Sequence, residues 1–307
     1  MEDSSYLELK TKIEEAKKKL KLRENRENAE REDKLQATPV QKLLPDIFEG
    51  KRVVPNCFLR SALFGMVRKG RRRLVENEPI FTMSQYEVIF SGAQLDQNDL
   101  ELWDTLIYLA KEQKVNDCLR ITLHELCKRM NLTKNQERYQ VLIARAERLK
   151  FGTVKIKTGK KSFSGSLINN VYIDEVGDGK LVIEYNKHLM PLFADNDYTF
   201  INMEVKRLLG DHQLARWLYN FYESHSQPMT FTLQFLQNLC RSETEQKEFK
   251  RQLKNAMELI KNAYIKVNLN SKWDYIIDKN NSLTIFPNGK YMKTLKSIGF
   301  KSLLKKY

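Results

Sequence analysis

The 307-residue chain is longer than a typical single domain, so its length favours two domains. Its formal net charge of +14 and its pI near 9.4 favour a polyanionic partner, either nucleic acid or an anionic membrane surface. No apolar run reaches the roughly 18 residues of a transmembrane helix and no signal peptide is found, which predicts a soluble, cytoplasmic protein. The four cysteines form no C-x-x-C motif, so neither a zinc site, nor a disulfide framework, nor any cofactor is expected.

Residues 1–35 have the composition of one charged, solvated helix. Apolar residues from Tyr6 to Leu20 follow the spacing of a coiled-coil seam, but only for about two heptads. The segment is therefore either an exposed, frayed helix or a weak helix for self-association or a partner. Its ten acidic and ten basic side chains cancel, so a DNA-binding surface has to lie in residues 36–307.

Residues 36–57 contain three prolines and are predicted to form a linker. Within this linker, the segment Gln41–Phe48 carries apolar side chains. These side chains either dock onto a partner or lie down on the domain that follows.

A basic loop follows at Arg68–Arg73, where five cations surround Gly70. Such a loop suits phosphate contacts, which we expect from Arg68, Lys69, Arg71, Arg72 and Arg73. A strand-like alternation comes next, and then a helix that begins after the N-cap residue Asp96.

One phrase occurs twice, about 110 residues apart: TLHELCKRMN at Thr122–Asn131 and TLQFLQNLCR at Thr232–Arg241. Each threonine is a good N-cap, and each short helix is followed by a break and a longer helix with one apolar stripe. The similarity extends to Val154–Ile156 and Ile265–Val267, after which both copies enter a polar, strand-rich region. Helix, turn, helix and β-hairpin are the elements of a winged helix.

The sequence therefore predicts an α+β fold of two tandem winged-helix domains, each a helix-turn-helix plus a β-hairpin wing, with an N-terminal helical extension. The first domain is expected at residues 58–198. The second is expected at residues 199–307, where the basic C-terminal tail from residue 288 carries six lysines and no acid. Cys127 and Cys240 lie at equivalent apolar positions and are predicted to be buried free thiols.

The longer helix of each copy is predicted to enter the major groove of DNA. In the first copy the expected contacts, with base edges near the helix start and phosphates near its end, are Lys134, Arg138, Gln140, Val141, Arg145 and Arg148. In the second copy they are Arg241, Thr244, Lys247, Lys250, Arg251 and Lys254. The alternative is that both faces are ordinary solvated helix surfaces.

The hairpin tips are expected to add phosphate contacts. Around Gly159 these are Lys157, Lys160 and Lys161, and Lys272 and Lys279 are the candidates in the second copy. Two such units on one chain would read two half-sites about 34–36 Å apart, so a monomer would cover a non-palindromic DNA site.

Four stretches carry a resemblance to a known family: VPNCFLRSALF (Val54–Phe64), SGAQLDQNDLELW (Ser91–Trp103), LFADNDYTFI (Leu192–Ile201) and QLARWLYNFYESHSQP (Gln213–Pro228). In these the chain resembles the TrfA-like family of plasmid replication initiators. The resemblance implies a pair of winged-helix domains that bind repeated origin sites (iterons) and help to open an adjacent A·T-rich segment. It also implies recruitment of the host replicative helicase with the host initiator, and exchange between monomers that bind iterons and dimers that do not.

The chain departs from the family pattern at two places. The family often has L-C-G-S at the turn before the second recognition helix, where this chain has LCRS with Arg241 in place of glycine. The family motif for binding the sliding clamp is Q-L-x-L-F, whereas this chain has QKLLPDIF at Gln41–Phe48, with Pro45 inside it. Clamp binding through this segment is therefore a secondary hypothesis.

Two other functions remain as alternatives. A tandem winged-helix transcriptional repressor would use the same recognition helices, and only its DNA target would distinguish it from an initiator. A nicking rolling-circle initiator would need a tyrosine nucleophile and a metal site, yet the four histidines are scattered and no H-x-H motif exists. A phosphate-binding G-x-x-x-x-G-K-[ST] loop is also absent, so we expect no enzymatic activity.

Overall fold

A computed structural model describes residues 2–287 except 69, 160, 175–178 and 228. The chain has a mixed α+β fold in which short sheets alternate with helices. None of the described helices has both the length and the apolar character to cross a membrane.

The first part of the chain, up to residue 112, runs from a long helix, which is exposed over residues 13–34, into a compact set of strands. Its elements are α1 (Glu2–Ala37), α2 (Val40–Leu43), β1 (Lys51–Pro55), α3 (Asn56–Leu59), β2 (Phe64–Gly65), β3 (Leu74–Ile80), β4 (Tyr86–Ala93), β5 (Leu95–Asp96) and α4 (Gln97–Glu112). Helix α4 begins where the sequence predicts, because the carboxylate of Asp96 accepts the backbone N–H groups of Asn98 and Asp99.

The middle part holds the first copy of the repeated phrase. Its elements are β6 (Cys118–Thr122), α5 (Leu123–Arg129), α6 (Gln136–Phe151), β7 (Thr153–Thr158), β8 (Lys161–Ser166), β9 (Ile168–Asp174) and β10 (Lys180–Tyr185). A 3-10 helix, Lys187–Asn196, then leads to the last part of the chain.

The last part holds the second copy. Its elements are β11 (Tyr198–Asn202), α7 (Met203–Leu208), α8 (Gln213–Glu223), β12 (Thr230–Thr232), α9 (Leu233–Leu239), α10 (Gln246–Val267), β13 (Asp274–Ile277) and β14 (Ser282–Phe286). The basic tail that the sequence predicts from residue 288 lies outside the described residues.

Strand pairing ties distant segments together. Strand β1 pairs antiparallel with β11, with Lys51 opposite Asn202, so the predicted linker at residues 36–57 contributes a strand to the fold. The apolar side chains of Val40 and Leu44 are also buried in the chain itself. The structure therefore supports the prediction that these apolar side chains pack onto the domain that follows, and not the alternative that they dock onto a partner.

A four-stranded antiparallel sheet has the order β3-β4-β7-β8. Strands β4 and β7 alternate buried and more exposed residues, and Val88, Phe90 and Val154 are among the side chains on the buried face. Two separate three-stranded sheets, β6-β10-β9 and β12-β14-β13, accompany the two copies of the repeated phrase.

One continuous apolar core runs through the chain, with Trp103 of α4 and Trp217 of α8 among its largest buried side chains. Buried polar pairs also join α4 to the second half. The ammonium group of Lys206 lies 2.8 Å from the Asp104 carboxylate, and both side chains are almost fully buried. Separating the two groups would leave a buried charge without a partner, which is strongly destabilising. The pair therefore holds α7 against α4.

The sequence similarity between the copies ends with their helices. Val154–Ile156 lie in strand β7, whereas Ile265–Val267 are the last three residues of helix α10, so the proposed match between these segments is wrong. The first hairpin was also misassigned. The strands that flank Gly159, β7 and β8, join the four-stranded sheet, and the hairpin that accompanies α5 and α6 is β9–β10.

Candidate nucleic-acid interface

The two helix pairs, α5–α6 and α9–α10, begin with the same cap. The Thr122 hydroxyl accepts the N–H of Glu125 at 3.1 Å, and the Thr232 hydroxyl accepts the N–H of Phe235 at 3.2 Å. Each bond satisfies one of the free donors at a helix start, and both short helices are seven residues long. The predicted N-caps are confirmed.

The two turns also match, residue for residue. Asn131 and Arg241, which are 110 positions apart, both adopt the left-handed conformation, with φ of 54° and 61°. In both copies the next residue donates its N–H back to the short helix, at 2.8 and 3.0 Å. Arginine in place of the family's glycine therefore leaves the turn geometry intact, although a non-glycine residue in this region carries a cost of about 1 kcal/mol.

The cysteines at equivalent positions of the copies are structural. Cys127 and Cys240 are fully buried and free, as the sequence predicts. Burial raises the pKa of both thiols, to about 12 for Cys240, so neither is a thiolate near neutral pH.

Each helix pair is braced by the sheet that contains its flanking strands. Strand β6 runs into α5 and pairs with β10, with Thr122 opposite Lys180. Strand β12 runs into α9 and pairs with β14, with Thr232 opposite Ser282. In both copies, the strand before the helix pair therefore binds the last strand of the hairpin that follows it.

The first longer helix, α6, presents fewer free cations than the sequence suggests. Lys134 and Gln140 are exposed, and Arg138 and Val141 are half-buried beside them. The side chain of the N-cap residue, Asn135, accepts the N–H of Arg138 at 2.8 Å, which fixes the start of the helix.

The sequence predicts two phosphate contacts near the end of α6, Arg145 on one flank of the helix and Arg148 on its outer face, and the structure corrects their placement. Arg145 is 9% exposed and lies on the buried stripe with Leu142 and Leu149. Arg148 donates to the Asp99 carboxylate, with Nη2 2.7 Å from Oδ1. The helix is rotated relative to the predicted orientation because α6 packs against α4, which supplies these carboxylates.

A buried ion cluster explains this orientation. Asp99 is fully buried and also receives Nη1 of Arg72 at 3.1 Å, while Nη2 of Arg72 lies 2.6 Å from Asp96. Burial and the neighbouring Asp96 carboxylate raise the pKa of Asp99, and Arg148 and Arg72 lower it. Burial lowers the pKa of Arg145, against the attraction of the same carboxylates. Arg72, predicted as a phosphate contact, is thus turned inward.

Sequence reasoning missed this cluster. The D-x-x-D spacing of Asp96 and Asp99 was a readable capping signal for α4. Nothing in the sequence links Asp99 to Arg148, which lies 49 positions away.

The second longer helix, α10, has an open basic face. Lys247 and Lys254 are exposed and, among the described residues, make no ion pair. Arg251 is exposed but pairs with Glu248 at 2.6 Å. The side-chain hydrogen bonds from Arg251 and Gln252 lower the pKa of Glu248 to about 2.

In the second copy, two side chains that are predicted to contact DNA bond instead to other residues of the chain. Nζ of Lys250 donates to Asn281 Oδ1 at 2.6 Å, which ties α10 to the β13–β14 turn. Arg241 donates to Glu78 of β3, so the turn of the second copy touches the first half of the chain. Thr244 is half-buried, and its hydroxyl lies 3.0 Å from that of Ser242.

The basic loop divides into inward and outward side chains. Arg68 and Arg71 are exposed, and Arg73 lies 3.5 Å from Glu243 at the turn of the second copy. Lys69 lies outside the described residues.

The predicted hairpin contacts are only partly described. Lys157 is exposed and pairs with Glu87 at 3.0 Å, while Lys160 and the side chain of Lys161 lie outside the described residues. At the other hairpin, Lys279 is exposed in the β13–β14 turn and Lys272 is exposed before β13.

The segment predicted as a secondary clamp contact, Gln41–Phe48, is only partly accessible. Leu44 is 5% exposed, and the exposed ring of Phe48 packs edge-on against Phe200 with centroids 5.1 Å apart. A clamp contact through Leu44 would first require this residue to leave the core.

The described residues form a mixed α+β fold with two helix pairs that begin with the same kind of cap. A profile of the TrfA protein family matches residues 4–275. The chain belongs to the TrfA family, a family of plasmid replication initiators.

A solved structure has a similar fold. Domains 2 and 3 of RctB are similar over 76% of this chain and 97% of that chain, with a TM-score of 0.52 and 10% sequence identity. A second structure of RctB domains 2–3 covers 72% of this chain and 93% of that one, with a TM-score of 0.47 and 10% identity. At this identity the likeness concerns the fold alone. No curated protein sequence matched the chain.

Proposed function

We propose that the chain is a sequence-specific double-stranded DNA-binding protein that initiates plasmid replication by binding repeated origin sites. In this proposal residues 58–198 and 199–307 each form a winged-helix unit, and α6 and α10 are the recognition helices. The bound chain helps to open an adjacent A·T-rich segment and recruits the host helicase together with the host initiator. Self-association through exchange of monomers and dimers belongs to the same proposal.

The observation that carries the proposal is the repeated helix pair. Two pairs with equal caps, equal left-handed turns and equal strand bracing lie 110 residues apart, in a chain of the TrfA family. A second helix that is held at its start and open along one side is the geometry that the major groove requires.

The interface we propose is smaller than the sequence suggests. In the first unit it consists of Lys134 in the turn before α6 and of Arg138, Gln140 and Val141 on the outer side of α6. In the second unit it consists of Thr244 in the turn before α10 and of Lys247, Arg251 and Lys254 on the outer side of α10. The loop arginines Arg68 and Arg71 add phosphate contacts. Arg72, Arg145 and Arg148 are excluded, because their charges face carboxylates inside the protein.

Binding-site selection from random duplex DNA tests the proposal. The purified chain is expected to select a site with two unequal halves about one helical turn apart, and the affinity is expected to fall steeply with salt. The same site repeated beside an A·T-rich segment supports the initiator. A perfect palindrome or a lone promoter operator supports a repressor instead.

We also propose that the chain acts without catalysis. Metal-dependent nicking of supercoiled origin DNA by the purified chain would contradict this part of the proposal. Among the described residues, no group of three or more histidine, cysteine, aspartate or glutamate side chains is arranged to hold a metal ion.

A further inference from the structure

A cavity of about 200 Å³ lies where the two halves of the chain meet. Its wall is formed by the basic loop of the first half and by the turn and second helix of the second half. The lining residues that matter here are Arg68, Arg71, Gln94, Arg241, Ser242 and Thr244.

The cavity has an excess of positive charge. The side chains of Arg68 and Arg71 are exposed, and neither forms an ion pair with a described residue. The acidic residue in the lining, Glu243, faces Arg73 at 3.5 Å. Two arginines thus border the cavity without a carboxylate of their own.

Hydrogen-bond donors without acceptors complete the wall. Gln94 is 4% exposed, and its Oε1 accepts the N–H of Arg73 at 3.2 Å, but among the described residues its Nε2 has no acceptor. The hydroxyls of Ser242 and Thr244 lie 3.0 Å apart, so one of the two can donate into the cavity. Because Gln94 lines the cavity and its Nε2 has no acceptor among the described residues, this amide is available to donate to a ligand or water.

We infer that this cavity, the junction pocket, binds a phosphate group of the DNA backbone. The inference rests on the proposed function and gives it a specific site. Phosphate oxygens are pure acceptors, and arginine pairs with them through its planar fork of N–H donors. The Gln94 amide and one hydroxyl supply the neutral donors.

The position of the pocket favours a backbone phosphate as the source. In the lining, Thr244 lies just before α10 and Gln252 lies in the second turn of α10. Backbone phosphates lie beside the start of a recognition helix when it enters the major groove. Because Arg71 comes from the first half and Thr244 from the second, one bound phosphate contacts both halves. The bound phosphate therefore stabilises the present arrangement of the two halves, and it does so only while DNA is bound.

The test combines single neutral phosphates in the DNA with a single neutral side chain in the protein. A selected duplex is prepared as a series in which one phosphate at a time is replaced by methylphosphonate, and each is titrated with the intact chain and with Arg71→Gln. We expect one position near α10 at which neutralisation weakens binding roughly 10-fold for the intact chain but has no effect for Arg71→Gln. Penalties at the other positions are expected to be equal for both proteins.

Lys254→Gln is the matched control, because Lys254 is an exposed cation of α10 that does not line the pocket. It is expected to keep the penalty at the Arg71-dependent position. If Arg71→Gln removes the penalty at no position while the duplex is still bound specifically, the inference is overturned and the proposed function stands. If no duplex is bound specifically by the intact chain, the proposed function itself fails.

A second arm separates the two sources of phosphate. Inorganic phosphate and a mononucleotide are titrated into the DNA-free chain by calorimetry. Little binding by either, together with the coupling above, supports a backbone phosphate. Saturable binding of the mononucleotide that Arg71→Gln abolishes, without any coupling in the DNA series, overturns the assignment to the backbone.

Discussion

The Arg148 guanidinium on α6 donates to the Asp99 carboxylate at the start of α4, with Nη2 and Oδ1 2.7 Å apart. A side chain that looks like a DNA contact in the sequence is thus an anchor for the helix that carries it. The anchor sets which side of α6 faces outward, because α6 cannot rotate about its axis without breaking a bond to a buried charge. The surface of α6 that we propose for DNA recognition therefore depends on a residue of a different helix.

Asp99→Ala is expected to lower the free energy of unfolding by about 3–5 kcal/mol, because the substitution leaves Arg148 and Arg72 facing a buried site without a carboxylate. Urea unfolding followed by circular dichroism measures the change. Glu87→Ala is the control. Its partner Lys157 is exposed, so it is expected to cost less than about 1 kcal/mol. Equal costs for the two variants would mean that the cluster adds nothing beyond a surface pair.

Lys254→Ala is expected to weaken DNA binding on all sequences and to flatten the slope of log K against log salt by about 0.9, the effect of one phosphate contact. Titrations at four or more salt concentrations give the slope. Arg145→Ala is expected to destabilise the fold, because Arg145 is buried. The variant molecules that remain folded are expected to show an unchanged slope of log K against log salt. A flatter slope for Arg145→Ala would restore this residue to the interface.

Arg138→Ala is expected to lose about 1–3 kcal/mol of discrimination at one base position, since Arg138 lies at the start of α6 near the exposed Gln140. Competition between the selected site and its single-base variants measures this loss. Equal loss on selected and random DNA would place Arg138 among the phosphate contacts instead.

His225 is expected to make stability depend on pH. Its ring packs against Phe221 and Phe231, with centroids 4.6 and 5.6 Å away, and its Nδ1 lies 2.8 Å from the Phe221 carbonyl oxygen. Burial, and then the charge of Arg60, lower its pKa to about 4. The unfolded chain takes up a proton near pH 6.5, and the folded chain does so only near pH 4. The stability that the neutral ring contributes to the folded chain is therefore present above pH 6.5 and is lost as the pH falls toward 4.

Urea unfolding at pH 7 and pH 5 tests this dependence. The unmodified chain is expected to lose at most about 2 kcal/mol more than His225→Phe between these two values, because the ring is partly accessible to water. The substitution also removes a hydrogen bond and so changes stability at both pH values. For this reason the change in the free energy of unfolding between pH 7 and pH 5 is compared for the two proteins. Parallel losses would show that other groups cause the pH dependence.

Gly65→Ala is expected to disturb the junction of the two halves. An added Cβ would lie 2.9 Å from the Cβ of Arg241 and 3.0 Å from the carbonyl oxygen of Cys240. The expected cost is about 1–3 kcal/mol, measured by urea unfolding. Because Arg241→Gly removes the closest of these contacts, Gly65→Ala is expected to cost less in that background. Strict additivity of the two substitutions would argue against this contact as the cause.

The sequence by itself determined the local structure of the repeated units. The caps at Thr122 and Thr232, the long N-terminal helix and the start of α4 depend on contacts within a few residues, and all are confirmed. The buried thiols are also confirmed, because helical spacing places both cysteines on the apolar side of their helices. The family resemblance is confirmed as well, because it depends on runs of residues that are read directly.

Only the tertiary structure decided which cationic side chains are exposed and which are paired inside the protein. Helical spacing predicts which residues share a side of α6, but the rotation of that side is set by α4, whose carboxylates are distant in the sequence. The same holds for β7 and β8, since a hairpin pattern does not specify the sheet that it joins. The junction pocket is also a tertiary feature, because the loop at Arg68–Arg73 and the turn at Arg241 meet only in the folded chain. Charge composition predicts a polyanionic partner, and long-range packing selects the side chains that can contact it.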